Sequence, residues 1–194
     1  ASLKNLKDLR RLILAGGITL NDAGAAQIAN LKSLRHIALP AKSLSEETLL
    51  VLLELPNLRA VSLPDAQLTK RVVEQITQRE PLLVLDLTGS SITDNDLTAI
   101  ANLKHLLRLG LSNTNVGDRG GEKLQSLKTL RTLNLMNTPM TKAGIEELAE
   151  ALPNLESFSH DFLQDELAMP WATGRILDPA GVEGQIDTAV MTED

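Results

Sequence analysis

A six-residue pattern, Leu-x-x-Leu-x-Leu, returns along most of this chain and constrains its fold more than any other feature. Its full copies begin at Leu9, Leu34, Leu58, Leu82, Leu106 and Leu130, and a weaker copy begins at Leu155. Successive copies start 24 or 25 residues apart. Because the spacing is so regular, the sequence predicts stacked structural units, each of which buries its leucines against its neighbours.

Within each copy, the pattern predicts a strand and then a helix. The fourth and sixth positions are apolar and alternate with polar or small residues, as in a short strand with one buried face. About six residues after the pattern ends comes a residue type that favours a helix N-cap. The predicted caps are Asn21, Ser45, Thr69, Thr93, Gly117 and Thr141. The strands are therefore expected to line up in parallel, with the helices on the opposite side.

The leucine positions and the period resemble those of leucine-rich repeat proteins across about residues 1–160. The stretch from Ile92 to Leu97 is similar to the Thr-containing repeats of bacterial members of that family. The resemblance implies a right-handed α/β solenoid with a parallel strand ladder on the concave face and helices on the convex face. It also implies a non-enzymatic protein–protein recognition module that binds a partner through the concave face. The alternative is a structural or assembly domain that carries the acidic tail or a neighbouring domain outside this sequence.

The charge distribution divides the chain near residue 160. Residues 1–160 carry 18 Lys and Arg against 17 Asp and Glu, whereas residues 161–194 carry one Arg against eight acids. We therefore predict a leucine-rich repeat domain over residues 1–160, with six full repeats and partial ends, and a C-terminal cap and acidic tail over residues 161–194. Duplex nucleic acid is not an expected partner, because it requires a concentrated basic face.

The two ends of the chain carry further expectations. Leu3, Leu6 and Leu9 match the end of a helix, so the chain is expected to start partway through a repeat. The predicted C-terminal cap covers the last coil with apolar residues that follow the weak seventh copy. They are Phe158, Phe162, Leu163, Leu167, Met169 and Trp171. Two readings stay open for residues 173–194: their acids contact arginines of the same or a neighbouring molecule, or they form a solvated tail.

The sequence predicts no catalytic, cofactor or metal site. Without cysteine, the chain cannot form disulfides, thiolate metal sites or a cysteine nucleophile. His36, His105 and His160 have no helical i, i+4 pairing and no carboxylate at metal-site spacing. Gly120-Gly121 lacks the Lys-Ser/Thr of a phosphate loop, so a tight turn is favoured there. No membrane span and no targeting signal is visible, and the compartment stays open.

The remaining candidate for function is the concave surface. Interfaces draw much of their binding energy from Arg and aromatic anchors, and the predicted inner surface has no aromatic ring. The candidate partner-binding residues are Arg10, Arg11, Arg35, His36, Arg59, Asp86, Arg108, Arg131 and Asn134. Arg10, Arg35, Arg59 and Arg131 share the second pattern position, which predicts a basic stripe for a protein or peptide with acidic segments. The alternative is a solvated edge that tolerates long side chains.

Two departures from the repeat carry expectations about local order. Arg79 stands where other copies have leucine, and Pro81 follows it, so we expect an irregular helix in the third repeat with Arg79 turned outward. At the ninth pattern position, Ser90, Thr114 and Thr138 are expected to form a polar ladder that satisfies backbone groups in the turns.

Overall fold

The computed structural model describes residues 6–14, 17–79 and 81–161. Within these residues, seven strands of three residues each form one parallel sheet, in which neighbours in sequence are also neighbours in space. They are β1 (Arg11–Ile13), β2 (His36–Ala38), β3 (Ala60–Ser62), β4 (Val84–Asp86), β5 (Arg108–Gly110), β6 (Thr132–Asn134) and β7 (Ser157–Ser159). Each strand begins at the third position of the leucine pattern. The predicted parallel strand ladder is confirmed.

Helices alternate with these strands and form a second layer. They are α1 (Asp22–Ile28), α2 (Glu46–Leu53), α3 (Lys70–Thr77), α4 (Leu97–Ile100), α5 (Asp118–Leu124) and α6 (Lys142–Ala151). Each helix packs against the helices of adjacent repeats, as each strand pairs with the adjacent strands. The fold is an α/β solenoid, as expected. We number its repeats coils 1 to 7, each beginning at the first leucine of its pattern.

Leucine columns between the two layers form the core. Leu85, Leu109 and Leu133 hold the fourth pattern position in coils 4 to 6 and are opposite one another across paired strands. Their exposed fractions are 0%, 1% and 0%. Burying a leucine side chain contributes about 1.5–3 kcal/mol, so a column of this kind stabilises every interface between coils.

Side-chain caps start most of the helices where they were predicted. The side-chain oxygens of Asn21, Ser45, Thr69 and Thr141 each accept a hydrogen bond from the backbone N–H three residues later. Gly117 is the N-cap of α5 without a side-chain bond. The prediction for Thr93 was wrong.

In coil 4, Asp96 occupies the N-cap position instead, and its side chain makes no cap hydrogen bond to the helix. Its carboxylate accepts hydrogen bonds from the Thr93 backbone N–H (2.9 Å) and hydroxyl (2.8 Å). This bonding holds Thr93 in a turn, and α4 begins only at Leu97.

Gly120 and Gly121 lie inside α5, so the expected tight turn was also wrong. Both residues are buried. A Cβ atom on Gly120 would lie 2.6 Å from Asp94 Oδ1 of the preceding coil. Glycine is needed here because the neighbouring coil approaches closely, and the need does not come from backbone conformation.

The expectation of an irregular third helix was wrong as well. Helix α3 is continuous and is capped by Thr69. Arg79 is half-buried, and its Nε is enclosed without a hydrogen-bond partner. The aliphatic stem of arginine can pack in apolar space as leucine does, which explains how arginine replaces leucine here.

The turns after β3, β4, β5 and β6 share a left-handed residue at the eighth pattern position. It is Asp65, Gly89, Asn113 or Asn137, with φ between 55° and 68°. These residue types tolerate the left-handed region best. The N–H groups of the first three donate to carbonyls of the next coil at 2.8–2.9 Å. The last, Asn137, donates instead to the carboxylate of Asp161.

The predicted polar ladder at the ninth position forms only in part. The hydroxyls of Thr114 and Thr138 donate to the carbonyls of Leu111 and Leu135 in their own turns. The Ser90 hydroxyl is buried without a partner, so the expectation was wrong for that residue.

Coil 7 closes the described part of the solenoid. Phe158 takes the leucine position on β7, and its ring meets His160 edge-on with centroids 4.9 Å apart. Burial lowers the pKa of His160, although the nearby Asp161 carboxylate acts in the opposite direction. The other predicted cap residues and the acidic tail lie outside the described residues, so the domain boundary near residue 160 stays a prediction.

Candidate partner-binding surface

The outward side chains of the strands form the concave surface. They come from the third and fifth pattern positions, because the fourth position points into the core. Most of them are small or polar, so the sheet offers a shallow floor. The third-position row is Arg11, His36, Ala60, Val84, Arg108, Thr132 and Ser157. The fifth-position row is Ile13, Ala38, Ser62, Asp86, Gly110, Asn134 and Ser159.

Four arginines lie together at the first three coils. Arg10, Arg35 and Arg59 directly precede β1, β2 and β3, and Arg11 is the first residue of β1. The N–H of Arg35 donates to the Arg10 carbonyl at 2.7 Å, and the N–H of Arg59 donates to the Arg35 carbonyl at 2.8 Å. Adjacent strands are about 4.8 Å apart, so these side chains start from neighbouring rungs of one ladder. We call these four residues the N-terminal basic cluster.

The N-terminal basic cluster is exposed and forms no ion pair with the residues that the structure describes. All four arginines are exposed. Among the residues that the structure describes, none of the ion pairs involves them. Like charges on adjacent strands repel one another, so this surface gains electrostatic stabilisation when an anionic group binds.

His36 lies beside the cluster and is opposite Arg11 in the strand register. Burial lowers the pKa of its imidazole, and the positive charge of Arg11 lowers it further. The neutral form is therefore favoured near neutral pH. At that pH, the charge of the cluster comes from its arginines.

An exposed apolar side chain adjoins the cluster. Ile13, at the end of β1, is 52% exposed on the concave face. Ala38, its register partner on β2, is half-buried. A partner segment that reaches the arginines therefore also meets apolar surface.

Arg131 is separated from the other arginines of the predicted stripe. Leu83 and Leu107 hold the second pattern position in coils 4 and 5. Arg131 itself pairs with Glu156 at 2.9 Å, so its charge is already balanced. Both residues line an open pocket of about 250 Å³ together with Leu107, Thr129 and Asn154. The predicted stripe of four arginines is thus three adjacent arginines and one distant, paired arginine.

Asp86 lies at the centre of the concave face, but internal bonds hold its carboxylate. Oδ1 accepts from the Thr88 backbone N–H (3.1 Å) and hydroxyl (2.6 Å), and Oδ2 accepts from the Ser62 hydroxyl (2.7 Å). The side chain also lies over Gly110, where a Cβ atom would be 2.5 Å from Oδ1. Asp86 is therefore better placed to order the sheet than to bind a partner.

The remaining candidates lie towards the other end of the sheet. Arg108 is half-buried on β5, opposite Thr132. Asn134 on β6 accepts a hydrogen bond from the Met136 N–H at 3.2 Å. The structure thus brings Arg10, Arg11, Arg35, His36 and Arg59 together and leaves the other candidates apart from them.

Three carboxylates join neighbouring coils through hydrogen bonds that the sequence analysis did not predict. Asp22 accepts from the Ser45 N–H, Asp94 from the Gly117 N–H, and Asp118 from the Thr141 N–H and hydroxyl, at 2.7–2.9 Å. Each bond joins the start of a helix, or for Asp94 the turn before α4, to the N-cap of the next coil. The signal was present in the sequence as an acid one residue after a predicted cap, with the next predicted cap one period later.

The described residues include no group of three or more side chains suited to hold a metal ion. The described helices are also too short or too polar to cross a membrane.

Comparison with known proteins also identifies leucine-rich repeats in part of this chain. The family model described as Leucine Rich repeat matches residues 80–101, 102–124 and 126–149. No curated protein matches the chain by sequence.

Solved structures share the fold at low sequence identity. An internalin C2 of Listeria monocytogenes is 22% identical with a TM-score of 0.56, covering 82% of this chain and 64% of that one. A leucine-rich repeat protein of Leptospira interrogans is 23% identical with a TM-score of 0.51, covering 80% and 38%. The tropomodulin C-terminal domain of Caenorhabditis elegans is 12% identical with a TM-score of 0.50, covering 61% and 83%. This chain therefore spans less than two thirds of the two bacterial structures, and the likeness establishes the fold.

Proposed function

We propose that this chain is a non-enzymatic recognition module of the leucine-rich repeat kind, which binds an acidic protein segment through its concave face. The leucine-rich repeat fold generally serves protein–protein interaction. The observation that carries the proposal is the N-terminal basic cluster, in which four exposed arginines lack ion-pair partners among the described residues.

The chemistry of the cluster favours carboxylates. A guanidinium presents a planar set of donors that matches a carboxylate in two parallel hydrogen bonds. Arg10, Arg35 and Arg59 repeat this donor set on adjacent strands, so an extended acidic segment running along the sheet meets them in turn. Exposed Ile13 adds an apolar contact at the same place.

The other proposed contacts contribute less. Arg131 must first exchange Glu156 for a partner carboxylate, and Asp86 and Asn134 already accept internal hydrogen bonds. We therefore assign the main binding energy to Arg10, Arg11, Arg35 and Arg59, with Arg108 and His36 at the border of the contact.

The test compares two pairs of arginine substitutions. Arg35→Ala with Arg59→Ala removes half of the basic cluster, whereas Arg71→Ala with Arg119→Ala removes the same charge from the helix side, where both residues are also exposed. A short synthetic Glu-rich peptide with one Leu serves as the probe, and fluorescence anisotropy measures its affinity at low salt.

We expect the first pair to weaken binding by about tenfold or more, because each lost pair of charge-assisted bonds is worth about 1 kcal/mol or more. The control pair should change the affinity by less than about twofold, which corresponds to less than 0.5 kcal/mol. Unchanged melting temperatures would show that folding is intact. Equal losses in both pairs, or no loss in the first, would reject concave-face binding and favour the structural or assembly role.

A further inference from the structure

We propose that the acidic C-terminal segment, residues 162–194, binds the N-terminal basic cluster of the same molecule and competes there with an acidic protein partner. The inference rests on the proposed function, because it concerns the regulation of the same surface. In this role, the segment is an intramolecular competitor of the protein partner.

The charge balance of the chain supports this pairing. Residues 162–194 hold seven acids and one Arg, a net charge of −6, whereas residues 1–161 hold 18 acids and 18 Lys and Arg, a net charge of zero. The whole formal charge of the protein, −6, therefore lies in this segment. The segment is the largest acidic stretch available to the basic cluster.

Acids on the concave side of the solenoid do not serve as counter-charges to the cluster. The Asp86 carboxylate is held by Ser62 and Thr88. Glu156 is paired with Arg131 at the opposite end of the sheet. Asp22, in the coil that carries Arg10 and Arg11, accepts the Ser45 N–H on the helix side. Asp8, two residues before Arg10, is exposed and also forms no ion pair, so none of the described acids is paired with the cluster.

The segment is long enough to reach the cluster. Coil 1 is six strand spacings from coil 7 in the seven-stranded sheet, roughly 29 Å in all. The 33 residues after Asp161 span at most roughly 110 Å when extended. The last five acids, from Asp178 to Asp194, therefore all have sufficient reach to coils 1 to 3.

Covalent attachment makes even a weak contact effective. A tethered segment acts at an effective concentration of the order of millimolar. If the segment binds the cluster with a dissociation constant of about 0.1 mM, it raises the apparent dissociation constant of a competing partner by about tenfold. A partner with more acids, or with an apolar side chain for Ile13, displaces it.

The experiment neutralises the segment without shortening it, so that any capping by its apolar residues is kept. The tail variant carries Asp178→Asn, Glu183→Gln, Asp187→Asn, Glu193→Gln and Asp194→Asn. The control variant makes the same change in charge on exposed acids of the solenoid: Glu47→Gln, Glu54→Gln, Glu122→Gln, Glu147→Gln and Glu150→Gln. The Glu-rich probe peptide is titrated into both variants and into the unmodified chain at low salt.

We expect the tail variant to bind the probe about tenfold more tightly than the control variant does. The gain should disappear when Arg35→Ala and Arg59→Ala are added. Equal affinities for the tail and control variants would overturn the inference. A contact between molecules would also overturn it, and analytical ultracentrifugation would then show dimers of the unmodified chain that the tail variant lacks.

A second measurement needs no probe. The NMR signals of the Arg35 and Arg59 guanidinium N–H groups should differ between the unmodified chain and the tail variant, and should agree between the unmodified chain and the control variant. If the probe binds no variant, the proposed function fails while these signals still decide whether the segment contacts the cluster. Signals that match in all three proteins would reject the contact.

Discussion

The two ends of the solenoid share one backbone but use their polar side chains differently. In coils 1 to 3, four arginines are exposed without counter-charges among the described residues. In coils 5 to 7, polar side chains bind one another across coils, as in Asn137 with Asn113 (2.9 Å) and Arg131 with Glu156 (2.9 Å). Equivalent positions of the repeat are thus without ion pairs among the described residues at one end and join neighbouring coils at the other.

This difference shows which pattern positions are constrained. The first, fourth and sixth positions are apolar in almost every coil because they face the core. The second position lies outside the core, so Arg, Leu and Glu all occur there without changing the strand register. Function can therefore change along the solenoid while the fold stays constant.

The largest expected effect is the loss of stability when a buried leucine of the core is removed, compared with an exposed residue of the same sheet. Leu109→Ala should destabilise the protein by about 2–5 kcal/mol, because it removes a buried side chain from the middle of the leucine column. Ile13→Ala, at the exposed end of β1, should cost less than about 1 kcal/mol. Urea denaturation followed by circular dichroism measures both. A loss below about 1 kcal/mol at Leu109 would contradict the register of the strands.

An intermediate loss of stability is expected when a carboxylate that joins two coils is removed, and a smaller loss when the carboxylate makes no such bond. Asp118 and Glu46 hold equivalent positions at the starts of α5 and α2, but only Asp118 accepts bonds from the next cap, Thr141. Asp118→Ala should cost about 1 kcal/mol or somewhat more, since two charge-assisted bonds are lost from a partly exposed site. Glu46→Ala should stay within about 0.5 kcal/mol. Similar losses in chemical denaturation would mean that the bonds to Thr141 do not stabilise stacking.

The smallest expected effect is the pH dependence of the contribution that Asp22 makes to stability. The pKa of Asp22 is lowered chiefly because the Ser45 backbone N–H donates to its carboxylate, with a further contribution from Thr48. Its contribution to stability is therefore present above the ordinary carboxyl pKa and is lost as the pH falls through the lowered value. The melting-temperature difference between the unmodified protein and Asp22→Asn should be constant near neutral pH and shrink below about pH 4. A difference that grows on acidification would show that the bond to Ser45 does not favour the ionised form.

The sequence by itself determined the repeat, the parallel sheet, the strand register and most helix starts. Each of these depends on a local pattern: leucines that alternate over a few residues, and a cap such as Ser45 or Thr141 that bonds to an N–H three residues later. Repetition at a fixed period then aligns the coils, because only one register buries all the leucines.

The tertiary structure alone decided which polar groups are paired. Asp86 with Ser62, Asp118 with Thr141 and Arg131 with Glu156 are separated by 23 to 25 residues. A pattern can show that such residues are on adjacent coils, but the pairing depends on side-chain conformations and on competing partners. Asp96 rather than Thr93 occupies the N-cap position of α4 for the same reason. Periodic burial specifies where the backbone lies, whereas each hydrogen bond depends on a few tenths of an ångström that only the packed coils define.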